Sequence, residues 1–235
     1  MLRVVTTAVA LAAIWAALLC FPQPFFSSSV QAGHLTLHSD HALPIDAATR
    51  VLAQAESNLA KSVLWTNDRN YDIYICNSRW RQAIFFNKDY GVAGVAPYPL
   101  TSNVFLRDSI VDQNQLISPG GKPVSGDRTL DYFIAHEVTH QLTGRALGPV
   151  AYLRLPQWIR EGYADYIGKG SQIDLDGYRK AFLAGAQEMN YRRSGLYREF
   201  HLFVAWQLIH EGWTVDRLLH NYPPEATVVG AVRAN

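Results

Sequence analysis

The run His136-Glu137-Val138-Thr139-His140 constrains this chain more than any other stretch. Residues four apart on a helix have Cβ atoms about 5–6 Å apart, so both imidazoles reach one ion at the roughly 2.0–2.1 Å that zinc prefers. Glu137 follows the first imidazole on the same turn. Its carboxylate reaches a water beside that ion without coordinating the ion itself, which is where a general base belongs. A helix carrying two surface histidines and a glutamate is not rare, so the motif gains meaning only with a third ligand at a workable distance.

Pro156 to Tyr166 supplies that ligand: Glu161 stands 21 residues after His140. Pro156 opens a helix near its first turn, and Trp158, Ile159, Tyr163 and Tyr166 give it an apolar face, so Glu161 projects from a second, packed helix. Asp165 lies one turn further on. A carboxylate there accepts the free ring N–H of a ligating histidine and fixes its tautomer.

The H-E-x-x-H of residues 136–140 together with the W-I-x-E-G-x-A-D-Y run of residues 158–166 resembles the thermolysin-like, or gluzincin, zinc metallopeptidases, in particular the compact bacterial peptidase MA-like branch. The resemblance covers residues 127 to 215 well and the first hundred residues in general layout. It implies one zinc per chain held by His136, His140 and Glu161, with Glu137 activating the water and Asp165 orienting His136. It also implies an oxyanion donor downstream of the third ligand, and Tyr197 is the choice. Tyr197 opens a helix running to His210 with Phe200, Val204 and Leu208 on its core face. His201 and His210 are the alternatives, and a structural role for Tyr197 stays open. The family's peptide-binding edge strand corresponds to Gly91–Ala96, whose small side chains allow close backbone approach; a flexible glycine loop is the other reading.

Neighbouring zinc families do not fit. A metzincin needs glycine and histidine where this chain has Thr143 and Ala146, and a deformylase needs an upstream cysteine ligand that neither Cys20 nor Cys76 provides.

Residues 1–32 form a segment of their own. Arg3 precedes eighteen uncharged residues, Val4 to Phe21, which reads as an uncleaved membrane anchor or as a signal peptide cleaved after Val30-Gln31-Ala32. Leu19 is too bulky for Cys20 to sit in a lipobox. With Arg3 on the cytoplasmic side, the rest of the chain is extracytoplasmic. Cleavage leaves Cys76 alone, in an apolar run that reads as buried strand rather than reactive thiol.

The remaining residues 33–235 suffice for one domain. The formal charge of +1 falls to zero without Arg3, so no charged field points to nucleic acid. His34–His38 alternates as a strand should and the apolar run Tyr71–Cys76 reads as a second strand, while Pro44–Ser62 has helical spacing and Arg79–Phe86 reads as a short helix. Gly91–Leu106 contains two apolar runs broken by Pro97 and Pro99. The first lobe, residues 33–126, is therefore mixed α/β with about four strands. From Asp127 the pattern is helical, with a cap near Asp127 and Gly144 closing the motif helix. The expected fold is α+β, a zincin-like two-lobed domain with the zinc cleft between the α/β lobe and the helical lobe of residues 127–235.

The expected function is zinc-dependent hydrolysis of peptide bonds in a peptide or protein substrate. Two other classes stay open: a membrane-tethered peptide-binding or scaffold protein that keeps the fold without cutting, and a zinc hydrolase of a non-peptide amide.

Overall fold

Short apolar runs in the first half of the chain build a sheet whose central strands are buried on both faces. The computed structural model describes residues 2–234, apart from the side chains of residues 2–5, 8 and 88. The elements in chain order are α1 (Leu2–Cys20), β1 (Ser28–Ala32), β2 (Leu35–Ser39), α2 (Ile45–Leu59), β3 (Tyr71–Cys76), α3 (Arg79–Phe86), β4 (Gly94–Val95), β5 (Val104–Arg107), β6 (Ser109–Ile110) and β7 (Gln115–Leu116). Helices follow: α4 (Leu130–Leu147), α5 (Pro149–Arg154), α6 (Gln157–Gly168), α7 (Leu175–Leu183), α8 (Tyr191–Ser194), α9 (Arg198–Ala205), α10 (Val215–His220) and α11 (Glu225–Ala234).

The main sheet is mixed and five-stranded, in the order β1-β2-β3-β5-β4. The central pairs β2–β3 and β3–β5 are parallel, and the edges β1 and β4 run antiparallel to their neighbours. Period-two geometry sends Leu35, Leu37, Ile73, Ile75, Val104 and Leu106 to one face, where they meet α2 and α4. Tyr74, Cys76 and Phe105 point the other way and pack with Leu19, Phe26, Phe85 and Phe86. The molecule is therefore α+β, a small mixed sheet with helices on both faces and a helical second half.

Four sequence expectations are corrected. Ser28–Ala32 is a fifth strand, paired residue by residue with β2 through a turn at Gly33, whose φ of 57° suits a residue without Cβ. It was hidden because it directly follows the apolar leader. The motif helix starts at Leu130 after Thr129, while Asp127 instead pairs with Lys169 (3.2 Å) and Arg198 (3.5 Å). Gly144 lies inside that helix, where a Cβ would come within 2.6 Å of the Tyr98 ring, and Gly148 (φ 77°) ends it. The helix expected from Tyr197 begins at Arg198 with Tyr197 as its N-cap, and gives way to a π turn at Trp206–His210.

The segment read as a leader contributes to the core. The Trp15 indole donates to the Ile84 carbonyl (2.7 Å), Asn103 Nδ2 to the Leu19 carbonyl (2.8 Å) and Arg81 Nε to the Phe25 carbonyl (3.0 Å). Among the described residues no helix is long and apolar enough to cross a membrane. The Arg3 side chain, on which the expected orientation rests, lies outside the described residues. Cys76 is fully buried, and burial pushes its thiol pKa up, as expected of a core residue.

Candidate metal centre

α4 runs without glycine or proline from Leu130 to Thr143 and is buried along that whole length, wedged between α2 and α6. Such a helix carries its polar residues inside, so each needs a partner. Thr139 returns its hydroxyl to the Ala135 carbonyl (2.7 Å), and Gln141 Nε2 reaches the Asn103 carbonyl (3.4 Å). What remains on the face toward α6 is a column one turn apart: Tyr132, His136, His140. α6 answers with Glu161 and, one turn on, Asp165, held in place by the buried Trp158, Ile159, Tyr163 and Ile167. Gly162 lets α9 approach, since a Cβ there would lie 2.4 Å from the Phe200 carbonyl oxygen.

His136, His140 and Glu161 converge, all buried, and could hold a metal ion. Glu161 Oε2 lies 3.5 Å from His136 Nε2 and 3.4 Å from His140 Nε2. Ligands about 2.0–2.1 Å from a tetrahedral centre are about 3.3–3.4 Å apart, close to both distances from Glu161, and all three ligand atoms lie within 4.8 Å of one another. Two imidazoles and a carboxylate are also a donor set that zinc accepts. The other Glu161 oxygen receives Arg160 Nε at 3.2 Å. Burial acts to raise the Glu161 pKa, but the His140 charge and the hydrogen bonds of both imidazoles override it and hold the carboxyl well below its ordinary range.

Glu137 faces the same space with a different balance. Burial is the largest influence, His140 partly offsets it and the Glu161 charge adds to it, so its pKa is raised to about 7. That suits a group that must take and return a proton near neutrality. β4 closes in on it: a methyl at Gly94 would come within 2.7 Å of Glu137 Oε1, so only glycine leaves the carboxylate its present position.

These groups line a cleft of about 550 Å³ together with Gly91–Ala96, Tyr191 and Tyr197. The Tyr197 ring stacks on His136, with centroids 5.6 Å apart and planes 9° apart. Burial, followed by the nearby Glu161 charge, raises its pKa, so the hydroxyl stays a donor. The alternatives to Tyr197 lie elsewhere. His201 is fully buried with Nδ1 on Asp165 Oδ2 (2.8 Å), and His210 is exposed beside Glu211 and Trp206.

Asp165 departs from its expected contact. Its carboxylate accepts from Tyr132, His201 and Lys169, and it reaches His136 through the Tyr132 hydroxyl rather than directly. Sequence reasoning missed Tyr132 and Lys169. The signal for Tyr132 was present, since it stands one helical turn before His136. No family model, curated protein or solved structure matches this chain.

Proposed function

We propose that this chain is a zinc-dependent metallopeptidase of the gluzincin kind, with a two-lobed zincin arrangement. The α/β part lies before Asp127 and the helical part after it. The observation that carries the reading is the Nε2, Nε2, Oε2 triangle with a buried carboxylate, Glu137, beside it. Zinc, when bound, supplies polarisation of the scissile carbonyl and acidification of a water.

The rest of the chemistry belongs to the chain. Glu137 takes the proton of the attacking water and returns it to the leaving amine. The Tyr197 hydroxyl, protonated and on the cleft wall, donates to the carbonyl oxygen as negative charge develops there. Among the described residues no strand lies beyond the edge strand β4, so its backbone can pair with an extended substrate and hold the scissile bond over Glu137. An extracytoplasmic location is proposed on the uncharged sequence run Val4 to Phe21 and the preceding Arg3 alone, since Trp15 and Leu19 of that run pack against the domain.

The test is a mixed panel of peptides and non-peptide amides, offered to the full-length protein before and after chelation. Peptide cleavage that chelation abolishes and zinc restores is the expected result. Cleavage of non-peptide amides alone contradicts peptidase activity, and binding of peptides without cleavage of any substrate contradicts an enzyme.

A further inference from the structure

The cleft holds two donors that the hydrolytic step does not use. Arg160 lines it from α6, where the buried Trp158 and Ile159 fix the backbone, with its side chain 30% exposed. Its Nε donates to Glu161 Oε1 at 3.2 Å, which restrains the guanidinium and leaves Nη1 and Nη2 with no hydrogen bond among the described residues. Arg81, Arg107 and Arg145 differ, since each commits a terminal nitrogen to a protein acceptor. Tyr152 lines the same cleft from α5. Its ring packs edge-on against Tyr98, with centroids 5.2 Å apart, and Tyr98 in turn lies over Gly144 of α4, so Tyr152 is wedged in place. Burial raises the Tyr152 pKa and the Arg160 charge is the largest influence opposing it, which makes the two groups neighbours. The Tyr152 hydroxyl has no hydrogen-bond partner among the described residues.

We propose that Arg160 and Tyr152 form a carboxylate-binding subsite beside the candidate metal centre. The substrates are then peptides with a carboxylate close to the scissile bond, either the peptide's own carboxyl terminus or an acidic side chain. The inference rests on reading the cleft as a peptide site and names the substrate class for it.

Two terminal N–H groups in a planar fork match the two oxygens of a carboxylate, and a phenol beside them adds a further donor. A peptide that covers the cleft strips water from these groups. The fork then costs free energy unless the substrate supplies the acceptor, and a charged acceptor serves it better than a neutral amide oxygen. Arg128 also lines the cleft, but it precedes the first turn of α4 and sits over the Phe133 ring. Asp165 meets Tyr132 near that same end of α4, so α6 runs antiparallel and places Arg160 toward the other end, where α5 follows.

The experiment measures equilibrium binding of three acetylated alanine peptides of equal length to the full-length, metal-free protein: one with a free carboxyl terminus, one amidated, and one amidated but carrying a single glutamate. Metal-free protein keeps the readout independent of zinc and of cleavage. A carboxylate peptide should bind about 10–100-fold more tightly than the neutral amide, the scale of hydrogen bonds to a charged group. Preference for the free terminus alone assigns a site that trims carboxyl ends, and preference for the glutamate peptide assigns an acidic side chain. Arg160→Gln should bring the favoured peptide down to the affinity of the neutral one, Arg160→Lys should keep part of the preference, and Tyr152→Phe should lower it. The neutral peptide should bind all these proteins alike. Equal binding of the three peptides to the wild type, or none, overturns the subsite. So does a preference that survives Arg160→Gln or is lost in Arg128→Gln instead, and so does an equal loss of neutral-peptide binding in Arg160→Gln, because the arginine then serves only Glu161 and the fold. If Arg160→Gln fails to fold, Tyr152→Phe decides, and an unchanged preference there overturns the subsite. Absence of hydrolysis by the zinc-replenished protein fails the peptidase reading and leaves the subsite standing on binding.

Discussion

Glu137→Gln is expected to lower peptide hydrolysis by about 10²–10⁴-fold, the usual contribution of a positioned general base, while zinc content stays at the wild-type level. Glutamine keeps the volume and leaves the ligand triangle intact, but it cannot take a proton from water. The local packing predicts a second effect. The Glu137 carboxylate is buried, with its pKa raised to about 7 by that burial, so its ionisation is resisted by the fold. An unfolded chain ionises it at the ordinary glutamate value, which costs the native state stability as pH rises above that value. The metal-free Gln variant should therefore melt no lower than the metal-free parent at pH 8. Hydrolysis near the wild-type rate, measured with substrate well below saturation, contradicts the role assigned to Glu137.

Removing residues 1–32 is expected to abolish stable folding. The cut takes away β1, the antiparallel edge that pairs along all of β2, and uncovers the second face of the sheet. Leu19 and Phe26 are buried there against Tyr74, Phe85 and Phe105, and each such side chain stabilises by about 1.5–3 kcal/mol. Their loss, with the backbone bonds of β1 and the contacts of Trp15, approaches the roughly 5–15 kcal/mol that holds a domain together. A 33–235 protein should be insoluble or show no cooperative melt by circular dichroism. A cooperative transition within a few degrees of the full-length protein contradicts the packing of the amino-terminal segment.

The same segment shows where sequence reading stops. Tyr71–Cys76 and Arg79–Phe86 were legible to the residue, the first as a short apolar run and the second as a short helical stretch, with polar residues between them. The convergence of His136, His140 and Glu161 was legible because helical spacing fixes which side chains share a face. Ser28–Ala32 was not, since five residues after an apolar run carry no signal of their own and the strand exists only through its pairing with β2. Gly144 resembled a helix stop, yet it is a contact glycine, and only the position of the Tyr98 ring reveals that. The path from Asp165 to His136 was legible in its ends but not in its middle. Spacing says that Tyr132 shares a face with His136, but not that its hydroxyl stands between two helices.

The most direct measurement is the number of zinc ions held by the full-length protein after zinc replenishment and desalting, beside Glu161→Ala. One tightly bound zinc per chain in the parent, with binding severely weakened in the variant, is the predicted result. No zinc in the parent, or equal binding in both proteins, contradicts the three-ligand centre and the hydrolytic function built on it.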